Sequence, residues 1–146
     1  MSGALYTREI LRLAVSIPHQ QRLDHPDGSA EQRSRTCGSR VVADVMVADS
    51  GLLEDLGLEI NACALGQASA AILATQAIGK RASEIESTRS HLAAFLEGLT
   101  ESPGGWPDMD QLTAARDHKG RHAAILLPYD ALIAAFADAA ARQVAA

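Results

Sequence analysis

Apolar and polar positions change period along the chain. Residues 4–17 carry apolar side chains at steps of three and four, which predicts an amphipathic helix that ends at Pro18. Further on, the period becomes two. The alternating segments 40–48 and 52–62 are joined by an Asp-Ser-Gly turn, so we expect a β-hairpin. A shorter strand around residues 30–35 would extend the hairpin to three strands.

Helical periodicity dominates the second half of the chain. The sequence predicts helical stretches separated by breakers over residues 64–78, 83–86, 90–99 and 108–116. The final helix is expected to begin at Leu127-Pro128, with the proline in its first turn, and to run to about Val144. These elements predict an α+β fold: a small antiparallel three-stranded sheet with helices packed on one face, including an N-terminal helix and a long C-terminal helix.

Composition and charge narrow the range of functions. The 146 residues suit a single domain, and 47% of them are apolar and 21% charged, a balance typical of globular proteins. The formal net charge is −5 and aromatic residues make up only 3%, so a basic, ring-lined groove for nucleic acid is not expected. No apolar run approaches the length of about 18 residues that spans a bilayer, and the N-terminus lacks a signal-peptide pattern. We therefore expect a cytoplasmic protein that binds neither membrane nor nucleic acid.

Cys37 and Cys63 are the two cysteines of the chain. Their spacing matches no compact zinc motif, and free cysteine is among the most buried residue types, so two small core side chains are one interpretation. The predicted elements place Cys37 in a turn between strands and Cys63 at a strand-to-helix junction. A thiol at a helix N-terminus lies beside unpaired N–H groups, which favour the thiolate. Two thiols at one edge of a sheet could form a soft-metal site.

Several segments carry a resemblance to a known family. Residues 62–71 (Ala-Cys-Ala-Leu-Gly-Gln-Ala-Ser-Ala-Ala), preceded by 49–55, and the tripeptide Thr36-Cys37-Gly38 contain the two cysteines. Residues 5–18 and 128–132 lie in the first and last predicted helices. Together they resemble the second-cysteine segment, the first-cysteine turn and the terminal helices of iron–sulfur cluster scaffold proteins, the IscU/NifU N-terminal family. The order of helices and strands matches that family as well.

The resemblance implies a ligand set for the site. The family's site has three cysteines and one aspartate. Cys37 and Cys63 match two of the cysteines. Ser39 stands at the aspartate position and Ala124 at the third cysteine, so this chain keeps two of the four ligands.

Other groups could supply the missing ligands. His122 lies two residues before the third-cysteine position, where an extended segment would point both side chains the same way, and imidazole suits iron and zinc. Ser39 is a weaker candidate because its hydroxyl does not ionise readily, and Asp44 is expected to face solvent. Two chains that each donate Cys37 and Cys63 would supply four thiolates, as a homodimer with a bridging cluster.

The stretch 100–118 resembles the insertion of the SufU-type branch of the family. This implies a single domain, residues 1–146, with an inserted loop and short helix. Trp106, between Gly105 and Pro107, either anchors this loop on the protein body or contacts a partner.

As to function, the resemblance implies an iron–sulfur cluster assembly scaffold rather than an enzyme. Such a protein would bind iron or a cluster transiently through Cys37 and Cys63, with zinc as an alternative metal. It would work with a cysteine desulfurase and with recipient apo-proteins. Two other functions stay open: a sulfur acceptor with Cys63 as the nucleophile, and a metal-free interaction module, which Ser39 and Ala124 favour.

Overall fold

A computed structural model describes residues 5–35 and 38–145 of the chain. In these residues the elements are, in order, helix α1 (Arg8–Ala14), strands β1 (Gly28–Arg33), β2 (Arg40–Val47) and β3 (Leu53–Asn61), helices α2 (Ala64–Ala77) and α3 (Ala82–Leu96), two 3₁₀ segments (Met109–Asp117 and Lys119–Arg121) and helix α4 (His122–Ala145). The predicted α+β class is confirmed.

The strands form one antiparallel sheet in the order β1-β2-β3. Ala43, in the centre of β2, pairs with Ala30 on one side and Leu58 on the other. β2 is rich in valine, whose branched Cβ suits a pleated surface. The three-stranded sheet predicted from the alternating segments is confirmed, with β1 beginning at Gly28.

One face of the sheet is apolar and is covered by helices. α4 packs along β1 and β2, while α2 packs on α1 and α4. A Cβ on Gly28 would lie 2.5 Å from the backbone nitrogen of Ala139, so this glycine lets α4 approach β1 closely. The strand residues that point to the helices are buried: Val41, Ala43, Val45, Leu56 and Leu58.

The opposite face of the sheet is crossed by the loop 18–27. A Cβ on Gly57 would lie 2.9 Å from the backbone nitrogen of Leu23, so the loop can cross only where the sheet has no side chain. Asp44, in the middle of β2, contacts this loop and is fully buried. The expectation that Asp44 faces solvent is therefore wrong, because the sequence pattern did not show that a loop covers this face.

Helix α3 is continuous where the sequence predicted a single turn and then a second helix. Ile85 and Leu92, two turns apart, are both fully buried and hold the two halves against the core. The start of the helix is capped by the Glu84 carboxylate, which accepts a hydrogen bond from the backbone N–H of Arg81 at 3.0 Å. The polar run 86–90 lies mostly on the outer side of this helix, where it causes no break.

Helix α4 begins at His122 rather than at Leu127, and Pro128 lies inside it. Proline lacks the N–H that would bond to the Ala124 carbonyl four residues back. The next carbonyl, that of Ile125, accepts a hydrogen bond from the hydroxyl of Ser69 in helix α2 at 2.6 Å. A contact between helices therefore lies next to the carbonyl that Pro128 leaves without its helical donor.

The helical stretch Lys119–Ala145 contains an apolar window of 18 residues with a mean hydropathy of 1.5, which is long and apolar enough to cross a membrane by length and composition alone. The expectation that no stretch of this kind exists was wrong. However, 56% of the apolar window is buried inside the protein. Because α4 packs on the sheet and on helices α2 and α3, it occupies the position of a core helix.

The segment 100–118 packs against the body of the protein. The ring of Trp106 stacks on that of Tyr129, with centroids 6.2 Å apart. The predicted short helix is a 3₁₀ segment whose inward residues repeat every three positions, as a helix of 3.0 residues per turn requires; the fully buried ones are Met109, Leu112 and Ala115. Trp106 therefore anchors its loop, one of the two roles expected for it.

Candidate functional site

Cys63 occupies the N-cap of helix α2, immediately after the end of β3. Its backbone is extended (φ −66°, ψ 169°), and its carbonyl accepts the first helical hydrogen bond, from the N–H of Gln67 at 2.9 Å. The alternating pattern ends at Asn61 and the alanine-rich helix begins at Ala64, so the sequence itself forces the junction at this cysteine. The predicted position of Cys63 is confirmed.

The thiol of Cys63 is half-buried and is not in a disulfide. It makes no capping hydrogen bond to the described residues, unlike the serine or aspartate usually found at an N-cap. The first turn of α2 contains no acidic residue. The N–H groups at the start of a helix carry partial positive charge, so the end of α2 at which Cys63 lies favours a negatively charged group.

A shallow depression of about 310 Å³ joins Cys63 to the turn between β1 and β2. Gly38 and Ser39 line it from that turn, and Asn61 and Gln67 line it from the side of Cys63. Gln67 lies four residues after Cys63, one helical turn further on, so helical spacing could have identified it from the sequence. The structure thus brings the two regions that carry the cysteines to one surface.

Cys37 lies outside the described residues, but both flanks of its turn are described. The Ser34 N–H donates to the Ser39 carbonyl at 2.9 Å, and the Gly38 N–H donates to the Ser34 carbonyl at 3.1 Å. Gly38 has a φ of +70°, which glycine adopts without strain. Arg40 pairs with Asn61 across the sheet, so the turn and Cys63 lie at the same end of the sheet, as predicted.

Ala124, at the third-cysteine position of the resemblance, also lies beside this region. It is fully buried, and a Cβ on Gly66 would approach its Cβ to 3.5 Å. Gly66 is in the first turn of α2, three residues after Cys63. The start of α4 therefore meets the start of α2 here, but the alanine methyl has no atom that could bind a metal.

His122 is the first residue of α4, and its ring contacts the end of the first 3₁₀ segment. Its Nε2 lies 3.0 Å from the Ala115 carbonyl and 3.1 Å from the Arg116 carbonyl, so it acts as a donor and leaves Nδ1 for any ligand. The argument that placed His122 and Ala124 on one side was wrong, because it assumed an extended segment. In a helix, residues two apart lie on different sides.

The charges nearest the depression are already paired. Arg40 Nη1 lies 2.7 Å from a carboxylate oxygen of Glu59, and its Nε bonds to Glu31. The hydrogen bond from Arg40 lowers the pKa of Glu31. Across residues 5–35 and 38–145, no group of three or more histidine, cysteine, aspartate or glutamate side chains is placed to hold a metal ion. The described part of one chain therefore contains one thiol, that of Cys63, and does not complete a metal site.

Comparison with known proteins identifies relatives of this chain. No protein-family model matches it. The iron-sulfur cluster assembly scaffold protein IscU of Thermotoga maritima is 24% identical over 128 residues, which cover 88% of this chain and 89% of that protein.

Solved structures agree with the architecture. The putative iron-sulfur cluster assembly scaffold protein for the SUF system of Fervidobacterium islandicum shares the fold, with a TM-score of 0.82 at 20% identity over 90% of this chain and 96% of its own. The N-terminal part of a nitrogen-fixing NifU-like protein from Brucella abortus is 33% identical, with a TM-score of 0.87 over 94% of this chain and 95% of its own. Identity of one third over nearly the full length of both chains, on the same order of helices and strands, means that this chain belongs to the IscU/NifU-like scaffold family.

Proposed function

We propose that this protein is an iron–sulfur cluster assembly scaffold that holds iron or a cluster transiently, with Cys63 and Cys37 as its thiolate ligands. The observation that supports this most directly is the position of Cys63. It lies at a helix N-terminus, on a depression shared with Gly38 and Ser39. The cluster assembly scaffold of Thermotoga maritima is related in sequence, and the NifU-like protein and the scaffold for the SUF system share the fold.

The chemistry of this surface suits a cargo that must leave again. Thiolates are soft ligands that bind iron, iron–sulfur clusters and zinc. The N–H groups at the start of α2 favour the negative charge of a metal-bound thiolate or sulfide. The depression is shallow and Cys63 is half-buried, so a bound cluster would remain accessible to a recipient protein.

We propose that a second copy of the chain supplies the ligands that one chain lacks. Two chains that each contribute Cys37 and Cys63 supply four thiolates to one bridging cluster. Within one chain, Nδ1 of His122 is the alternative, since its Nε2 already bonds to two carbonyls. Ala124 cannot bind a metal, which distinguishes this chain from the ligand set that the family resemblance implies.

The scaffold role implies partners and a location. A cysteine desulfurase would supply sulfur, and recipient apo-proteins would accept the cluster, so the protein itself would not be an enzyme. We place this role in the cytoplasm, where reduced thiols persist.

Anaerobic reconstitution with ferric iron, sulfide and a thiol tests the proposal. We expect iron and sulfide to bind in equal amounts, with visible charge-transfer absorption that is lost in Cys63→Ser and in Cys37→Ser. Ala64→Ser, which introduces the same side chain one residue away, is the matched control and should load normally. If Cys63→Ser loads as well as the parent protein, the proposed site is wrong.

The number of clusters per chain and the oligomeric state distinguish the two ways of completing the site. About half a cluster per chain, together with a dimer on gel filtration, would support the bridging arrangement. Full loading of a monomer that His122→Gln abolishes would support the histidine instead. Glutamine keeps an N–H donor near the Nε2 position and removes Nδ1, so the contacts to Ala115 and Arg116 can persist.

A metal-free interaction module is the second candidate, and the buried methyl of Ala124 at a ligand position favours it. Failure to take up either iron or zinc at any protein concentration would support this function over the scaffold. Persulfide on Cys63 after incubation with a cysteine desulfurase and cysteine would support a third role, that of sulfur acceptor.

A further inference from the structure

A groove lies at the other end of the sheet from Cys63. It has a volume of about 650 Å³ and lies between the turn that joins β2 to β3, the start of α3 and the last turns of α4. Val47, Ile133 and Phe136 contribute large apolar side chains to its floor. β3 has nine residues and runs from this end to Asn61, beside Cys63. At 3.3 Å per residue it separates the groove from the cysteine by roughly 25–30 Å.

Two helices line this groove with residues at helical spacing. Helix α4 contributes Ile133, Ala137 and Ala140 at spacings of four and three residues, and α3 contributes Ala82 and Glu86 four residues apart. These are the spacings by which one helix face packs on another. Ala137 and Ala140 are exposed. Because their side chains are small, a further helix could lie close to the backbone of α4.

The length of the groove also suits a helix. The lining residues of α4 extend from Ile133 to Gln143, a rise of about 15 Å at 1.5 Å per residue. This is close to three helical turns. The turn between β2 and β3 also lines the groove, through Ala48, Asp49 and Gly51.

The rim of the groove is acidic. Asp27, Asp49 and Glu86 line it and are exposed. Arg142 is the basic residue among the lining side chains, and it lies 2.9 Å from a carboxylate oxygen of Asp138, its ion-pair partner. Arg81 adds one cation beside Gly51, where its guanidinium bonds to the Ser50 carbonyl. Three rim carboxylates exceed this one cation, so the net charge at the rim is negative, which complements lysine or arginine at the edges of a bound segment.

We propose that this groove docks an amphipathic, basic helical segment of a partner protein. The apolar face of that segment lies on Ile133, Ala137 and Ala140, and its lysine or arginine side chains face Asp49 and Glu86. This mode of recognition needs apolar anchors at helical spacing and charged edges for orientation. The proposal is independent of the scaffold role. A partner bound at the groove would leave the depression at Cys63 open.

Fluorescence anisotropy with a model peptide tests the proposal. The probe is a fluorescein-labelled peptide of about 14 residues, with leucines at helical spacing and lysines along both edges; the comparison peptide has the same composition in scrambled order. We expect the amphipathic probe to bind at least about tenfold more tightly than the scrambled one. Double replacement Asp49→Asn and Glu86→Gln should weaken binding several-fold at low salt and much less at high salt.

Two arginine substitutions on α4 localise the binding. Ala137→Arg fills the groove and adds a positive charge, which repels the lysines of the probe. We therefore expect binding of the probe to fall by about tenfold or more. Ala141→Arg adds the same side chain to an exposed position of the same helix outside the groove, and should have less than a twofold effect. Equal binding of the scrambled peptide, equal effects of the two arginines, or no binding of the probe would overturn the proposal. None of these readouts involves iron, so the result does not depend on the scaffold role.

Discussion

At the scale of a single residue, Asp44 joins the loop 18–27 to the centre of the sheet. Its carboxylate accepts hydrogen bonds from Arg22 Nε at 2.6 Å, the Leu23 N–H at 3.0 Å and the Ser29 hydroxyl at 2.6 Å. Burial alone would raise the pKa of Asp44, but these hydrogen bonds outweigh burial, so the pKa lies below its usual value. The folded protein therefore favours the ionised carboxylate.

We expect Asp44→Asn to lower the free energy of unfolding by about 1–3 kcal/mol at neutral pH. The amide removes the charge and one acceptor, although Arg22 is half exposed, so water can solvate the guanidinium. A carboxyl whose pKa is lowered by folding adds stability above its unfolded pKa, about 3.9, and loses it as pH falls through the folded value. The difference between parent and variant should therefore shrink below about pH 4.

Urea denaturation followed by circular dichroism measures this difference at neutral and acid pH. Asp24→Asn, at an exposed position of the same loop, is the matched control and should change stability by less than about 0.5 kcal/mol. A difference for Asp44→Asn that stays constant down to the lowest pH would contradict the assigned role of the carboxylate.

At the scale of elements, the contact between α2 and α4 determines what surrounds Cys63. Pro128 leaves the Ala124 carbonyl without its helical donor, and that carbonyl faces the first turn of α2, where a Cβ on Gly66 would approach it to 3.3 Å. One turn further on, the fully buried Ser69 donates its hydroxyl to the Ile125 carbonyl. The two helices are therefore joined by a polar contact one residue after the carbonyl at which α4 lacks a hydrogen bond of its own.

Replacement of Ser69 by alanine should lower the free energy of unfolding by about 1–2 kcal/mol, because it leaves the buried Ile125 carbonyl without this donor. Thr75→Ala removes a hydroxyl from an exposed position of the same helix. The Thr75 hydroxyl donates to the Ala71 carbonyl of its own helix at 2.7 Å and not to α4. That control should be close to neutral. The comparison uses urea unfolding of both variants, and equal losses would contradict a special role for the contact between the helices.

The elements also show what could be read from the sequence. The alternation of β2 and β3 and the periodicity of α2 are local patterns, so the sheet and the place of Cys63 at a helix start were predictable. Pro128 inside α4 and the burial of Asp44 were not. The burial of Asp44 depends on a loop whose Arg22 is distant in sequence, and proline usually marks a helix start, so local pattern did not place Pro128 inside α4.

At the candidate site, too, some features were predictable from the sequence and others were not. Strand order places the turn before β2 and the end of β3 at one end of the sheet, so the approach of Gly38 and Ser39 to Cys63 followed from the hairpin. The position of His122 did not follow, because the start of α4 was expected at Leu127. A histidine in a helix instead of an extended segment turns away from Ala124.

At the scale of the whole molecule, one core connects all the helices. Buried residues from each helix and from β2 and β3 belong to a single cluster, which also includes Met109 and Leu112 of the first 3₁₀ segment. The segment 100–118 therefore shares its core with the rest of the chain. We infer that the protein is a single domain and that this segment unfolds together with it.

The single tryptophan reports on this inference, because Trp106 lies in the segment and stacks on the buried Tyr129. We expect urea unfolding to give the same midpoint by tryptophan fluorescence and by far-ultraviolet circular dichroism, since one cooperative transition moves both signals. Met109→Ala, which opens a cavity under the segment, should lower the free energy of unfolding by about 2–4 kcal/mol and shift both midpoints together to lower urea. If the fluorescence transition came first, or if Met109→Ala moved it alone, the segment would be an attached unit with its own stability, and the single-domain inference would be wrong.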